Sequence, residues 1–196
     1  LISATTIDGE AGDITINATD EVKIEQGSKI ASGAVGKGEA GFIDIITNNL
    51  NISDNSDAVV SSAEEGDSGF ISIKASNVNL TNKATISANT ASGDGGDIEL
   101  DNLKTLFLNQ ESFISANTTD GTAGDIIINA TDSVTVENNS KLASESVGDG
   151  IAGNIDIVTN KLNISDKSQA NVSSKGNGSA GSIFVKANNV ILGNTA

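Results

Sequence analysis

The chain of 196 residues is predicted to be all-β, a right-handed parallel β-helix solenoid of seven coils with a period of 28 and three short strands per coil. Three observations carry this prediction. Short apolar-x-apolar runs, which mark strands because side chains alternate faces every second residue, recur in a fixed order. Their period is constant along the whole chain, as in the step of 28 from Val22 to Leu50. Inward residues trade volume in pairs, as a stacked core at near-crystalline density requires.

The stretch AGDITINATDEVKIEQGSKIAS, Ala11 to Ser32, holds one copy of each element. The first strand follows a glycine, at Gly12, Gly41, Gly69, Gly96, Gly124, Gly153 and Gly181, whose spacing wanders by one position. The second strand has its first apolar residue at Val22, Leu50, Val78, Leu106, Val134, Leu162 and Val190, always 28 apart. The third begins at Ile2, Ile30, Ala58, Ile86, Ile114, Leu142 and Ala170, again 28 apart. The wander is therefore compensated before the second strand, one turn lengthening as another shortens. A rigid period with slippage confined to turns is the mark of a solenoid. The crossover preference favours a right-handed coil, and seven coils at about 4.8 Å rise about 34 Å.

Volume compensation is clearest in the third strand. Ile2 pairs with Ala4, Ile30 with Ser32, Ile86 with Ala88, Ile114 with Ala116 and Leu142 with Ser144, whereas Ala58 pairs with Val60 and Ala170 with Val172. A longer repeat overlies the coils. Residues 1–84 align without a gap with 113–196, so the building block is a four-coil super-repeat, 1–112, followed by a partial second copy, 113–196. The unmatched coil, Thr85 to Ser112, carries GDGGDIEL and the apolar LKTLFL. The whole reads as one continuous β-helix segment of a longer repeat protein, since it starts at Leu1 and neither end carries an amphipathic cap.

Composition narrows the function classes. The chain has no Pro, Cys, Met, Trp, Tyr or His, all eleven basic residues are Lys, and five Phe are its aromatics. Regularly placed β-branched residues argue against disorder despite the low complexity. A net charge of −15 argues against nucleic acid and anionic membrane surfaces. No apolar run approaches the ~20 residues that span a bilayer. Lacking cysteine fits an extracellular protein stabilised without disulfides.

Candidate sites are few. Four positions beyond each second-strand marker stand Gln26, Asp54, Asn82, Gln110, Asn138, Asp166 and Asn194, all amides or carboxylates. Such side chains tolerate tight turns and can bond along the axis as a structural ladder. Catalysis of the polysaccharide-cleaving kind needs clustered carboxylates with basic partners. Here Arg and His are absent and the acids are spread at repeat spacing, so no enzyme activity is expected. SGDGGDIEL at 92–100 is one loose match to a calcium nonapeptide that works only in tandem. No dedicated metal or cofactor site is expected, and weak Ca2+ bridging between acidic surfaces is the metal role these residues support. Phe42 and Phe70 share an outward column in neighbouring coils, and Phe107, Phe184 and Ile191 also have outward parity. Either long turns cover them or they make lateral contacts.

The blocks AGDITI, AGFIDI and AGNIDI, with ISA or ASx and the Leu-Asn-Ile-Ser-Asp segments, resemble the β-helical shafts of filamentous-haemagglutinin-type exoproteins, in particular the Asn/Ser-rich cyanobacterial ones. The resemblance covers all seven coils. It implies export by two-partner secretion and display as an extracellular fibre. The family's secretion domain carries Asn-Pro-Asn motifs, and this proline-free chain looks like shaft. The expected role is therefore structural: a spacer, matrix scaffold or adhesin shaft, secreted or at the cell surface. Its partners would be further copies of its own repeat, end to end or side by side. The alternative is an adhesin module that binds cell-surface glycans.

Overall fold

The structure, a computed structural model, describes residues 1–194. The strands in chain order are β1 Ile2–Thr6, β2 Ile14–Asn17, β3 Glu21–Ile24, β4 Lys29–Ala34, β5 Ile43–Ile46, β6 Asn49–Ser53, β7 Asp57–Ser62, β8 Ile71–Lys74, β9 Asn77–Thr81, β10 Thr85–Thr90, β11 Ile98–Leu108, β12 Phe113–Ser115, β13 Ile126–Val136, β14 Lys141–Ser146, β15 Ile155–Ile164, β16 Gln169–Ser174 and β17 Ile183–Leu192. Every pairing is parallel and joins equivalent strands of neighbouring coils: β4 lies between β1 and β7, and β13 between β11 and β15. The result is a β-solenoid of about seven turns of about 28 residues.

Two sheets form the walls. Third strands make a 7-stranded sheet, and first and second strands together make a 10-stranded one with its side branch. Separate first and second strands occur only in the three coils from β2 to β10. From β11 onward they fuse into single strands of 10 or 11 residues. The cause lies at the corner: Leu103 pairs with Ala130, and Thr159 with Ala187, so the backbone ladder carries round the bend. The slippage in the first strand also resolves here. Ile14 pairs with Ile43, a step of 29, and Ile71 with Ile98, a step of 27, while second and third strands stay 28 apart.

The core runs along the axis. Ile43, Ile45, Leu50, Ile52, Ala58 and Val60 of one coil are fully buried, as are their counterparts Ile71, Ile73, Val78, Leu80, Ile86 and Ala88 in the next. The compensating pairs of the inner coils all point inward. Where the small partner is serine, its hydroxyl also ties the third strand to the glycine turn across the coil. Ser32 donates to the Gly12 carbonyl at 2.8 Å and Ser144 to that of Gly124 at 2.9 Å. Leu103, from the apolar run of the unmatched coil, is fully buried at its corner, a position taken by smaller residues such as Ala75 and Ala130 in other coils.

A second interior column stands just before the third strand. The N–H of Ser28 donates to the hydroxyl of Ser56 at 3.0 Å, that of Ala84 to Ser112 and that of Ser112 to Ser140 at 3.2 Å, and that of Ser140 to Ser168 at 3.0 Å. Ser56, Ser112, Ser140 and Ser168 are essentially solvent-free, and so are the donor residues Ala84, Ser112 and Ser140, so from Ala84 onward these bonds satisfy backbone donors that water cannot reach. Among the described residues the ladder has one gap, at Ala84.

The turn before the first strand carries a pair of glycines in each coil, as in Gly38 with Gly41 and Gly66 with Gly69. At Gly41 a Cβ would sit 2.5 Å from the carbonyl oxygen of Gly12 and 2.7 Å from that of Ala11. At Gly66 it would collide with the carbonyl of Gly38. Coils stack so closely at this edge that a side chain has no room, which is a constraint of packing and not of φ.

Candidate functional site

Chemistry on a solenoid has to come from its turns and outward columns. Gln26, Asp54, Asn82, Gln110, Asn138, Asp166 and Asn194 all adopt left-handed backbone, with φ between 53° and 59°. The following residues Gly27, Asn55, Lys83, Glu111, Asn139 and Lys167 do so too. Asn and Asp are the side-chain-bearing residues that tolerate this region best, which explains most of the column. The turns also stack through the backbone: Asn55 N–H donates to Asn82 O at 3.0 Å and Asn139 N–H to Asp166 O at 2.9 Å. Side-chain bonds along the column are intermittent. Asn82 Nδ2 donates to Asp54 Oδ1 at 2.7 Å and Asn194 Nδ2 to Asp166 Oδ1 at 2.9 Å, whereas Asn138 Nδ2 turns aside to Asn109 Oδ1 at 2.7 Å. The polar groups here are strung along the axis and do not converge on a common point.

Phe42 and Phe70 do meet. Their rings stack at a centroid distance of 4.9 Å and an interplanar angle of 9°. Phe70 is 47% exposed, whereas Phe42 is half-buried beside Glu10, Asp13 and Glu39. Asp13 precedes the pair in its column and its Oδ1 accepts the Phe42 N–H at 3.1 Å. Phe184 and Ile191 are exposed in the seventh coil, and Phe107 is half-buried on β11.

The acids of the glycine turns act on backbone. Asp97 Oδ1 accepts the Asp125 N–H at 2.8 Å, Asp125 Oδ1 accepts that of Asn154 at 2.6 Å, and Asp67 Oδ1 accepts that of Asp94 at 2.8 Å. Each carboxylate thus caps the amide one coil further on. Among the described residues no three acids gather as a metal cage would need. Outward asparagines of the second strands form similar ladders, with Asn77 Nδ2 on Asn49 Oδ1 at 2.9 Å and Asn79 Nδ2 on Asn51 Oδ1 at 2.8 Å. One carboxyl is perturbed. Burial works to raise the pKa of Glu145, but hydrogen bonds from Lys141 and Asn171 and the Lys141 charge outweigh it, so the group lies below the usual glutamate value.

The corner between first and second strands is concave over the last four coils. Asp101, Asn102, Asn129, Thr131, Val158 and Asn160 line this groove, with Asn188 at its end. It opens where the repeat is irregular: Asn102 has φ 60°, alone among the described non-glycine residues outside the turn ladder, and the register between β11 and β13 shifts on either side of Leu103.

The double glycine column, the inner serine ladder and this groove lie outside the expectations drawn from sequence. The first two have a visible signal, a second glycine ahead of each marker glycine and a serine at nearly every multiple of 28. The chain matches no protein-family model, no curated protein and no solved structure.

Proposed function

We propose that this chain is a structural segment of an extracellular filament or surface fibre, a spacer, matrix scaffold or adhesin shaft with no chemistry of its own. The observation that carries the reading is the use made of the polar groups. Asp67, Asp97 and Asp125 cap backbone of the next coil, Asn77 and Asn79 bond the previous one, and Ser56, Ser112, Ser140 and Ser168 accept backbone N–H groups inside. A chain that commits its carboxylates and amides to axial cohesion builds a stiff rod. The acidic exterior of net charge −15 keeps such a rod soluble.

Axial neighbours of the same repeat suit the parallel coil-on-coil pairing that runs from β1 to β17. Phe42 and Phe70 suit a lateral contact. The family resemblance supplies the secreted or cell-surface location.

The test is immunogold labelling against this chain, with cryo-electron microscopy of the cell surface and culture medium. Labelled thin fibres with an axial repeat of about 4.8 Å are expected. Label confined to the cytoplasm, or fibres lacking that repeat, would overturn the proposal.

A further inference from the structure

In the first four coils one outward column reads Asp13, Phe42, Phe70 and Asp97, and the N–H after each of the first three donates to the carbonyl of the next. The column three residues earlier reads Glu10, Glu39, Asp67 and Asp94, all exposed. The stacked rings are thus bracketed by carboxylates along the axis and flanked by carboxylates to one side, with no lysine in either column. Glu10 and Glu39 make no hydrogen bond or ion pair among the described residues.

The second copy of the super-repeat lacks this patch. At the offset of 112, Phe42 and Phe70 are replaced by Asn154 and Ser182, and Glu10, Glu39 and Asp67 by Thr122, Ile151 and Ser179. β15 and β17 pair in register there all the same. The solenoid therefore requires neither the rings nor the glutamates beside them.

We propose that this patch binds a basic polypeptide segment, whose arginine side chains lie against Phe70 and Phe42 and pair with the surrounding carboxylates. A cation is drawn to an aromatic face, and Phe70 offers one that is 47% exposed. A guanidinium can stack on a ring and pair with a carboxylate at once. Four coils rise about 14 Å, the span of about four extended residues, so a short segment with alternate arginines meets both columns. A second copy of this chain suits the patch poorly, since it has no arginine and carries the same net charge of −15. An apolar partner would cover carboxylates and leave them unpaired. The premise is the contact role of Phe42 and Phe70; filament formation is not needed.

The test is titration of the full chain, at about 0.15 M salt, with a fluorescent Gly-Arg-Gly-Arg-Gly-Arg-Gly peptide and its glutamine counterpart. Anisotropy reads binding, and 15N-resolved NMR spectra of the chain place it and report that each variant is folded. The arginine peptide is expected to bind and to shift the amides around Phe42 and Phe70, and the glutamine peptide is not. Phe42→Asn with Phe70→Ser, the residues that stand at 154 and 182, changes no charge and should weaken binding about tenfold. Glu10→Thr with Glu39→Gln should weaken it by about as much. Asp20→Asn with Asp132→Asn removes the same two charges from another column and should change it less than about twofold. The proposal is overturned if the arginine peptide does not bind or if the glutamine peptide binds as well. It is overturned too if the ring variant binds as the parent does, since only the attraction of any polycation to an acidic chain would then remain. Binding is read on the isolated chain and fibres on the cell surface, so the two readings fail separately.

Discussion

Removing one rung of the inner serine ladder is expected to cost more than its size suggests. Ser140→Ala deletes one oxygen and leaves the Cβ in place, so packing changes little. The Ser140 hydroxyl accepts the Ser112 N–H at 3.2 Å, and both residues are essentially solvent-free. Without it that N–H has no acceptor and no water, and a buried donor left unmade costs about 1–3 kcal/mol. The bond is at the long end of its range, which puts the expected loss at about 1.5 kcal/mol. Against a total stability of about 5–15 kcal/mol, that is readily measured by urea unfolding. Because solenoid stability sums coil and interface terms, hydrogen exchange should quicken most around Ser112 and Ser140. The natural gap supplies the converse. Ala84 places no hydroxyl opposite the Ser56 N–H, and Ala84→Ser is expected to stabilise by about 1 kcal/mol, the net worth of one such bond. If Ser140→Ala and Ala84→Ser both leave the urea midpoint unchanged, the ladder contributes nothing and the reasoning fails.

The remaining predictions concern other columns. Gly41→Ala would push a Cβ to 2.5 Å from the Gly12 carbonyl and should destabilise by about 3 kcal/mol, the upper range for overpacking, read as a lowered melting temperature. Lys83→Gly should stabilise by about 1 kcal/mol, because it relieves a φ of 64° while losing only an exposed 3.7 Å ion pair with Glu111; a lower urea midpoint would refute this. Glu145 has a depressed folded-state pKa, so its contribution is complete above the ordinary glutamate value and disappears as pH falls through the lower folded one. Melting curves of the parent and Glu145→Gln should therefore differ at neutral pH and converge in acid, and a gap that stays constant with pH would count against the assignment. Phe42→Ser with Phe70→Ser should leave the circular dichroism spectrum intact and reduce lateral association in electron micrographs; unchanged bundling would remove the contact role.

Much of the fold was legible because a solenoid repeats its evidence. Leu50, Val78 and Leu106 are individually ordinary, but at a fixed interval they define a wall, and the volume trade between Ala58 and Val60 already implied that both face inward. The strand fusion from β11 onward was not legible. It depends on whether Leu103 and Ala130 pair across a corner, and the same Asn-Ala-Thr-Asp sequence at 17–20 and 129–132 breaks a strand in one coil and continues it in the other. Glycines such as Gly38 and Gly66 read as generic turn residues, since nothing in a one-dimensional string shows that the neighbouring coil's carbonyl fills the space of a side chain. The turn ladder was visible as chemistry, yet its main cause, two consecutive left-handed residues in each of the first six turns from Gln26 to Lys167, is a backbone property. The groove rests on how the corners of successive coils stack, with the register shift beside Leu103, and no single stretch of sequence carries that.

The compensating register at the glycine edge has a consequence for how such a chain can change over time. Ile14 and Ile43 pair 29 apart and Ile71 and Ile98 pair 27 apart, yet the third-strand sheet never departs from 28. Two sides of the solenoid keep strict count while the third absorbs single-residue gains and losses. A length change that falls between a third strand and the next second strand, and is balanced at the following corner, leaves every other rung in register. That stretch is where the protein can acquire insertions, and eventually new loops, without unwinding the rest.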